Sequence, residues 1–168
     1  MAEIIELPKL QLRRGGPDDV QPVIELLHAA WHETYDRVLP PQLTAPRTRD
    51  AFRDEVAPSI GRAWLAWLGP RLVGYMKLTA NCIDELWVAP GHQRRGVGSL
   101  LLEQALADFR AAGYQGVQAG CEDFNRAACG FFERQGWRVI GSEPQRLAPG
   151  LTIDALVYSR QLDPVGGA

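Results

Sequence analysis

The sequence has no long hydrophobic run and almost no net charge. No stretch of about 18 apolar residues occurs in the 168-residue chain, so no transmembrane helix is predicted. The N-terminal residues MAEIIELPKLQLRR place acids where a secretory signal needs a basic region, which favours a cytoplasmic protein. The net charge is −2 and the basic residues are dispersed. We therefore expect neither a membrane nor a nucleic acid as a partner.

Cysteines and clusters of metal ligands are also scarce. The three cysteines, Cys82, Cys121 and Cys129, are odd in number and widely spaced, which argues against a disulfide framework and against a zinc site. We expect them to be buried free thiols. His28 and His32 have the helical spacing of metal ligands, but no third ligand at a matching offset accompanies them, so no metal is predicted.

What is present is an ordinary globular composition, with 46% apolar and 23% charged residues. We expect one domain over residues 10–160, an N-terminal extension over residues 1–9 and a flexible tail over residues 161–168. Periodicity and turn residues predict the order β-α-α-β-β-β-α-β-α-β-β, which is an α+β or α/β fold with one mixed sheet covered by helices. The predicted strands are Leu10–Arg14, Arg62–Leu68, Leu72–Thr79, Cys82–Val88, Gly116–Cys121, Trp137–Gly141 and Leu151–Arg160. The first predicted helix begins at Pro17 and is broken by Pro40 and Pro41. The other predicted helices cover Thr48–Val56, Gly98–Ala112 and Asn125–Gln135.

The most informative segment is a turn rich in glycine and arginine between a predicted strand and a predicted helix. It consists of Gln93, Arg94, Arg95, Gly96, Val97, Gly98 and Ser99. The first turn of a helix offers unpaired N–H groups and the positive end of the helix dipole, so a pyrophosphate can bind there. Gly96 and Gly98 leave room for close approach of phosphates, and the two arginines can pair with the remaining charge.

Two common phosphate-binding motifs do not fit this turn. A P-loop needs a Gly-Lys-Ser/Thr ending, and the turn contains no lysine. A dinucleotide-binding fingerprint needs a third glycine, and Leu101 occupies that position. The pattern that remains is Gln-x-x-Gly-x-Gly after a strand.

With this motif the chain resembles the GNAT superfamily of N-acetyltransferases. A second segment, Asn125–Trp137, is similar to the family's helix pattern of Asn, Ala, an aromatic pair and a closing Gly with an aromatic residue. The resemblance covers about residues 10–160. It implies the GNAT acyl-CoA N-acyltransferase fold, a mixed sheet of about seven strands whose central strands, Cys82–Val88 and Gly116–Cys121, splay apart.

The resemblance also implies acetyl-CoA as acyl donor. Its pyrophosphate would bind the glycine-rich turn, and its pantetheine arm would enter the splay and pair with the backbone near Leu86 and Val88. Asn125 would donate to the pantetheine arm, although Asn is also a common N-cap. Phe132 is expected to line the same site. Family members are often dimers, so a homodimer is possible.

Transfer to a primary amine needs help from a base, because an ammonium group cannot attack. At pH 7 only about one amine in a few thousand is neutral. We expect Glu85 to be this base, with Asp84 and Glu122 as alternatives, and each of the three can instead be an ordinary solvated carboxylate. If side chains alternate along the strand, Asp84 shares a face with Leu86 and Val88, whereas Glu85 lies on the other face. The backbone N–H near Val88 is expected to stabilise the developing oxyanion.

Many family members protonate the departing thiolate with a tyrosine, but here that position is Phe132. Cys121, Cys129 or Tyr114 is a possible substitute, or the thiolate leaves unassisted. The same departure gives an alternative function, a non-catalytic acyl-CoA-binding or regulatory module on this fold. The acceptor, a small-molecule or peptide amine, is expected beside the first helix, where Trp31 and Tyr35 can receive a cation, although Trp31 also completes the apolar face of that helix.

Overall fold

In the computed structural model, which describes residues 9–163, seven strands form one mixed sheet. The strands are β1 (Leu10–Arg14), β2 (Trp64–Leu68), β3 (Arg71–Thr79), β4 (Cys82–Val88), β5 (Gly116–Cys121), β6 (Arg138–Ala148) and β7 (Leu151–Gln161). The helices are α1 (Val20–Tyr35), α2 (Pro41–Thr44), α3 (Arg49–Val56), α4 (Val97–Ala111) and α5 (Arg126–Arg134), with short 3-10 turns at Pro17–Asp19 and Ala57–Arg62. The strand order is β1-β2-β3-β4-β5-β7-β6, and only β4 and β5 run parallel. The predicted mixed seven-stranded sheet is confirmed.

The sheet divides the core into two layers, because neighbouring side chains on a strand point to opposite faces. On β3, Tyr75 packs with α1 and α3, whereas Met76 packs with α4 and α5. Both side chains are almost completely buried. Gly74 lets α4 approach the sheet closely, since a Cβ at this position would lie 2.8 Å from a methyl group of Val97.

The first helix has the predicted apolar face, but it ends earlier than expected. Val23, Ile24, Leu27 and Trp31 are all buried. The helix ends at Tyr35, and the N–H groups of Val38 and Leu39 turn back to the carbonyl of Tyr35. Pro41 then starts the short helix α2, where its missing N–H costs no hydrogen bond.

The C-terminal hairpin differs from the prediction in two ways. β6 continues to Ala148 instead of stopping at Gly141, and it includes Pro144, which is tolerated because β6 is an edge strand. The predicted tail over residues 161–168 begins too early, since β7 includes Gln161. Leu162 is also buried and donates its N–H to the Gln115 carbonyl at 2.8 Å. The remainder of the predicted tail, residues 164–168, and residues 1–8 of the predicted extension lie outside the described residues.

The predicted splay is present between β4 and β5. Their only pairs are Cys82 with Gln118 and Ile83 with Ala119 within the described residues. Beyond these pairs the strands part, and we call the opening between residues 84–88 and residues 120–121 the β4–β5 gap. Over residues 9–163, no helix is long and apolar enough to cross a membrane.

Candidate functional site

The main chain of β4 presents donors to the β4–β5 gap. Ala89 N–H donates to the Val73 carbonyl on β3 at 2.9 Å. Because successive N–H groups along a strand point in opposite directions, the N–H groups of Val88 and Leu86 point away from β3, toward the gap. The gap therefore offers hydrogen bonds to an extended ligand.

The loop that follows β4 forms an anion cradle at the start of α4. Gly96 is the N-cap of α4, with a φ of 85°, and Arg94 also has a positive φ of 60°. Within residues 9–163, no protein group accepts from the N–H groups of residues 93–99, and Leu100 is the first residue whose N–H bonds back, to the Gly96 carbonyl at 3.0 Å. Seven consecutive unpaired donors at the positive end of a 15-residue helix suit a pyrophosphate.

The two glycines of this motif do different things. A methyl on Gly96 would meet nothing within 4 Å, so what its position requires is a positive φ. A methyl on Gly98 would lie 3.4 Å from the Phe131 ring and 3.8 Å from Val88, both of which are partly buried. The expectation that Gly98 clears space for phosphates is therefore revised, because its missing side chain faces α5. Ser99 accepts a hydrogen bond from Gln135 at 3.1 Å, which ties α4 to the end of α5.

On the other side of the gap, Asn125 caps α5. Its Oδ1 accepts from Ala128 N–H at 3.3 Å, which confirms the N-cap interpretation. Its Nδ2 has no partner among the described residues, so it stays available to a ligand.

Phe132 is buried in an aromatic stack. Its ring lies 5.5 Å from that of Tyr158 and 5.3 Å from that of Trp137. The Tyr158 hydroxyl donates to Glu133 Oε1 at 3.0 Å. Position 132 therefore supplies apolar surface and no exchangeable proton.

The possible substitutes for a tyrosine acid are poorly placed or weak acids. Cys121 and Cys129 are buried free thiols, with sulfurs 3.5 Å apart. Burial raises the pKa of Cys121, which makes its thiol a weaker acid. Tyr114 lies before β5 begins, at the end of the strand remote from the gap, and packs on Phe109. Cys82 is half-buried, and burial raises its pKa to about 11.

A β-bulge changes the predicted orientation of the carboxylates on β4. The register with β3 shifts between Lys77, which faces Glu85, and Leu78, which faces Ile83. Alternation is therefore interrupted, and Asp84 is exposed and accepts from the Thr79 hydroxyl. Asp84 lines a surface depression with Lys77 and with Ser59 of a 3-10 turn, on the α3 side of the sheet. The expectation that Asp84 shares a face with Leu86 and Val88 was wrong.

Glu85 is close to Trp87 in sequence, but its carboxylate is held on the β3 side. Lys77 Nζ lies 2.9 Å from Glu85 Oε1, and the two side chains are 26% and 27% exposed. Leu86 and Val88, by contrast, pack with the α4 layer of the core. Glu85 is therefore ion-paired across the β3–β4 ladder, away from β5.

A buried hydrogen bond between Tyr35 and Glu122 was not predicted from the sequence. Glu122, just after β5, is 4% exposed, and the hydroxyl of Tyr35 donates to its Oε1 at 2.9 Å. Burial raises the pKa of Glu122, although hydrogen bonds from its own backbone and from Tyr35 oppose the shift. Tyr35 also contacts Trp87 and Phe124, with ring centroids 6.3 and 6.0 Å apart.

Trp31 packs against Tyr35 in the interior. It is 2% exposed, and its ring centroid is 4.6 Å from that of Tyr35. Tyr35 is also only 3% exposed, so the burial of both rings does not support the prediction that Trp31 and Tyr35 receive a cationic acceptor. The alternative prediction, that Trp31 completes the apolar face of α1, agrees with this position.

Comparisons with known proteins identify relatives of this chain. Residues 22–137 match the model of the acetyltransferase (GNAT) family. Blasticidin-S acetyltransferase of Streptomyces morookaense is 38% identical over 87 residues, which are 51% of this chain and 62% of that protein. A probable N-acetyltransferase of Mycobacterium tuberculosis is 23% identical over 145 residues, or 79% of this chain and 82% of that protein.

Among solved structures, the PaiA N-acetyltransferase of Thermoplasma acidophilum in complex with coenzyme A has the same fold. The TM-score is 0.75 at 17% identity, over 92% of this chain and 99% of that chain. The fold of this chain thus belongs to a known architecture.

Proposed function

The chain belongs to the GNAT family of acetyltransferases, and from this premise we propose that it transfers the acetyl group of acetyl-CoA directly to a primary amine. The observation that carries the proposal is the run of unpaired N–H groups at residues 93–99, which opens onto the β4–β5 gap. An anion cradle beside a parted sheet suits a long ligand with a pyrophosphate at one end and an amide-containing arm at the other.

The residues present fit acetyl-CoA. The N–H groups of residues 93–99 would hold the pyrophosphate, and the exposed side chains of Arg94 and Arg95 would offset its charge. The backbone of Leu86 and Val88 would pair with the pantetheine arm, and Asn125 Nδ2 would donate to it. The aromatic stack that contains Phe132 would contribute apolar surface to the gap. Bound there, acetyl-CoA supplies the acetyl group as a thioester.

The chain would stabilise the reaction electrostatically. The Val88 N–H points into the gap, where it would donate to the oxygen on which negative charge develops. Removal of one such donor in other enzymes costs about 100-fold to 1,000-fold in rate, so a fixed main-chain donor is a substantial contribution. Because Phe132 has no proton to give, the departing thiolate takes its proton from the amine or from water.

A carboxylate on β4 or just after β5 would take a proton from the ammonium form of the acceptor. The candidates are Glu85, Asp84 and Glu122. The acceptor would be a primary amine of a small molecule or of a peptide. A relative named for blasticidin-S, a small molecule, supports the first class.

Release of coenzyme A thiol tests the proposal directly. The chain would be mixed with acetyl-CoA and, in turn, a lysine-containing peptide, a polyamine, an aminosugar and blasticidin-S, while thiol is measured with a chromogenic disulfide. Amine-dependent thiol release with formation of an amide supports the proposal. Binding of acetyl-CoA without thiol release with any amine would instead favour the non-catalytic module, whose support is Phe132 in the place of tyrosine.

A further inference from the structure

A sheltered carboxylate lies at the open end of the β4–β5 gap, where the proposed reaction needs a proton acceptor. Glu122 directly follows β5 and is 4% exposed. Tyr35, 87 positions earlier in the chain, donates its hydroxyl proton to Glu122 Oε1 at 2.9 Å. Because a buried carboxylate is costly unless it is hydrogen-bonded, this contact fixes where the carboxylate lies.

The ring of Tyr35 contacts two aromatic residues near the ends of the parted strands. Its centroid is 6.3 Å from that of Trp87 on β4 and 6.0 Å from that of Phe124, which follows β5. Trp87 immediately precedes Val88, whose N–H faces the gap. Val88 is the last residue of β4 and Glu122 directly follows β5, so the proposed oxyanion donor and the carboxylate belong to the ends of the two strands that part.

The other two carboxylates are engaged elsewhere. Glu85 is paired with Lys77, which draws it toward β3, on the side remote from β5. Asp84 is exposed and accepts from Thr79. An exposed carboxylate or one held by a lysine is less suited to receive a proton from one bound amine than a sheltered, oriented one.

We infer that Glu122 takes the proton from the attacking amine, and that Tyr35 is the positioning residue that orients it. The inference rests on the proposed acetyl transfer. One proton passes from the ammonium nitrogen to a Glu122 oxygen, and the freed nitrogen lone pair forms the C–N bond as the C–S bond breaks. The sulfur leaves with the electron pair and takes the second nitrogen proton, directly or through water. Glu122 then returns its proton to solvent.

The surroundings of Glu122 agree with this role. Besides Tyr35 from α1, the titratable groups against it are the thiols of Cys121 on β5 and Cys129 on α5, and both thiols contact the Glu122 carbonyl. The positive charge of Arg47 acts to lower the pKa of Tyr35. Burial raises the pKa of Tyr35 strongly, so its hydroxyl remains protonated and keeps donating.

The first test compares matched variants with the best acceptor found in the amine panel. Glu122→Gln keeps the shape and an oxygen for Tyr35 but cannot accept a proton. We expect it to lower kcat/KM by about 100-fold or more, as for loss of a general base. Asp123→Asn, at the exposed neighbouring carboxylate, is the control and should change it less than about twofold. A loss in Glu85→Gln as large as that expected of Glu122→Gln, with Glu122→Gln near wild type, overturns the inference.

The second test separates orientation from mere packing by means of pH. The rate should fall as pH drops through the raised pKa of Glu122, because the protonated carboxyl cannot accept. Tyr35→Phe removes a hydrogen bond that lowers this pKa, so the acidic limb of kcat/KM should move to higher pH. Loss of activity in Tyr35→Phe without any shift of that limb would show a structural role only, and this overturns the assignment of Tyr35.

The third test needs no activity and uses thermal unfolding of the chain without acetyl-CoA. The folded pKa of Glu122 lies above its ordinary value, so the folded state holds more protons between the two values, and stability falls as pH rises through that window. Glu122→Gln stays neutral, so it should have a higher Tm than wild type at about pH 8, and the difference should shrink toward about pH 4. A pH-independent difference overturns the inference.

The outcomes also separate this inference from the proposed function. A wild-type chain that releases no thiol with any amine overturns both. Amine-dependent thiol release that survives in Glu122→Gln with its acidic limb intact overturns the inference alone.

Discussion

Alanine at the two glycines of the anion cradle should change stability in opposite directions. Gly96 has a φ of 85°, and a left-handed alanine costs about 1–2 kcal/mol relative to its relaxed conformation. Gly98 is inside α4, where alanine is favoured over glycine by about 0.5–1 kcal/mol. The added methyl at position 98 would lie 3.4 Å from Phe131, an ordinary contact distance, so little packing cost offsets this gain.

We therefore expect Gly96→Ala to lower the free energy of unfolding and Gly98→Ala to raise it, with a difference of roughly 1.5–3 kcal/mol between the two variants. For a chain of this size, 1 kcal/mol shifts Tm by about 2–4 °C. Urea unfolding of wild type and both variants, followed by circular dichroism, measures the difference without assuming any activity. Equal destabilisation by both substitutions would refute the reasoning, because it would mean that position 98 is as constrained as position 96.

Repeating the unfolding with coenzyme A adds the functional half of the prediction. Gly96→Ala changes the loop that aims the N–H groups of residues 93–99, so coenzyme A should raise its Tm less than it raises that of wild type. A full ligand-induced increase in Gly96→Ala would contradict the assignment of this loop as the pyrophosphate site.

Four further substitutions, at three positions, test other contacts. Asn125→Ala should cost about 1 kcal/mol of stability, because the α5 N-cap is lost. Asn125→Asp should keep the cap but weaken acetyl-CoA binding measured by calorimetry, since aspartate lacks the free Nδ2 donor. Equal affinity of Asn125→Asp and wild type for acetyl-CoA would exclude the ligand role. Leu162→Ala should cost about 2–4 kcal/mol in urea unfolding, because Leu162 is 6% exposed; a cost below about 0.5 kcal/mol would mean that the predicted tail does begin at residue 161. Gly74→Ala should destabilise by about 1–3 kcal/mol by overpacking against α4, where its methyl would lie 2.8 Å from Val97, and an unchanged Tm would show that α4 moves freely.

The parts of the site that sequence could predict are local in the chain. The cradle needs a strand end, residues with positive φ and a helix start close together in the chain, and these features are legible in residues 88–99. The parting of β4 and β5 came from the family resemblance, and the two residue pairs between these strands confirm it. The strand β6 was predicted too short because its polar residues and Pro144 are untypical of a buried strand, yet they suit an exposed edge.

What sequence could not predict depends on contacts between distant segments. The alternation rule placed Asp84 on the wrong face, because the bulge exists only in the pairing of β4 with β3. The partner of Glu85 is Lys77, and that of Glu122 is Tyr35, 87 residues away. Tyr35 was singled out for its aromatic ring, whereas the structure shows that its hydroxyl also matters.

The parting of β4 from β5 has a consequence for the molecule as a whole. Within the described chain, β4 and β5 themselves share only two residue pairs, so the sheet has a seam between its β1–β4 half and its β5–β7 half. A ligand that pairs along β4 and also meets Asn125 on the far wall acts as a missing strand that closes this seam. The acyl donor would then be a structural part of the protein for as long as it is bound, and its binding would raise the stability of the chain.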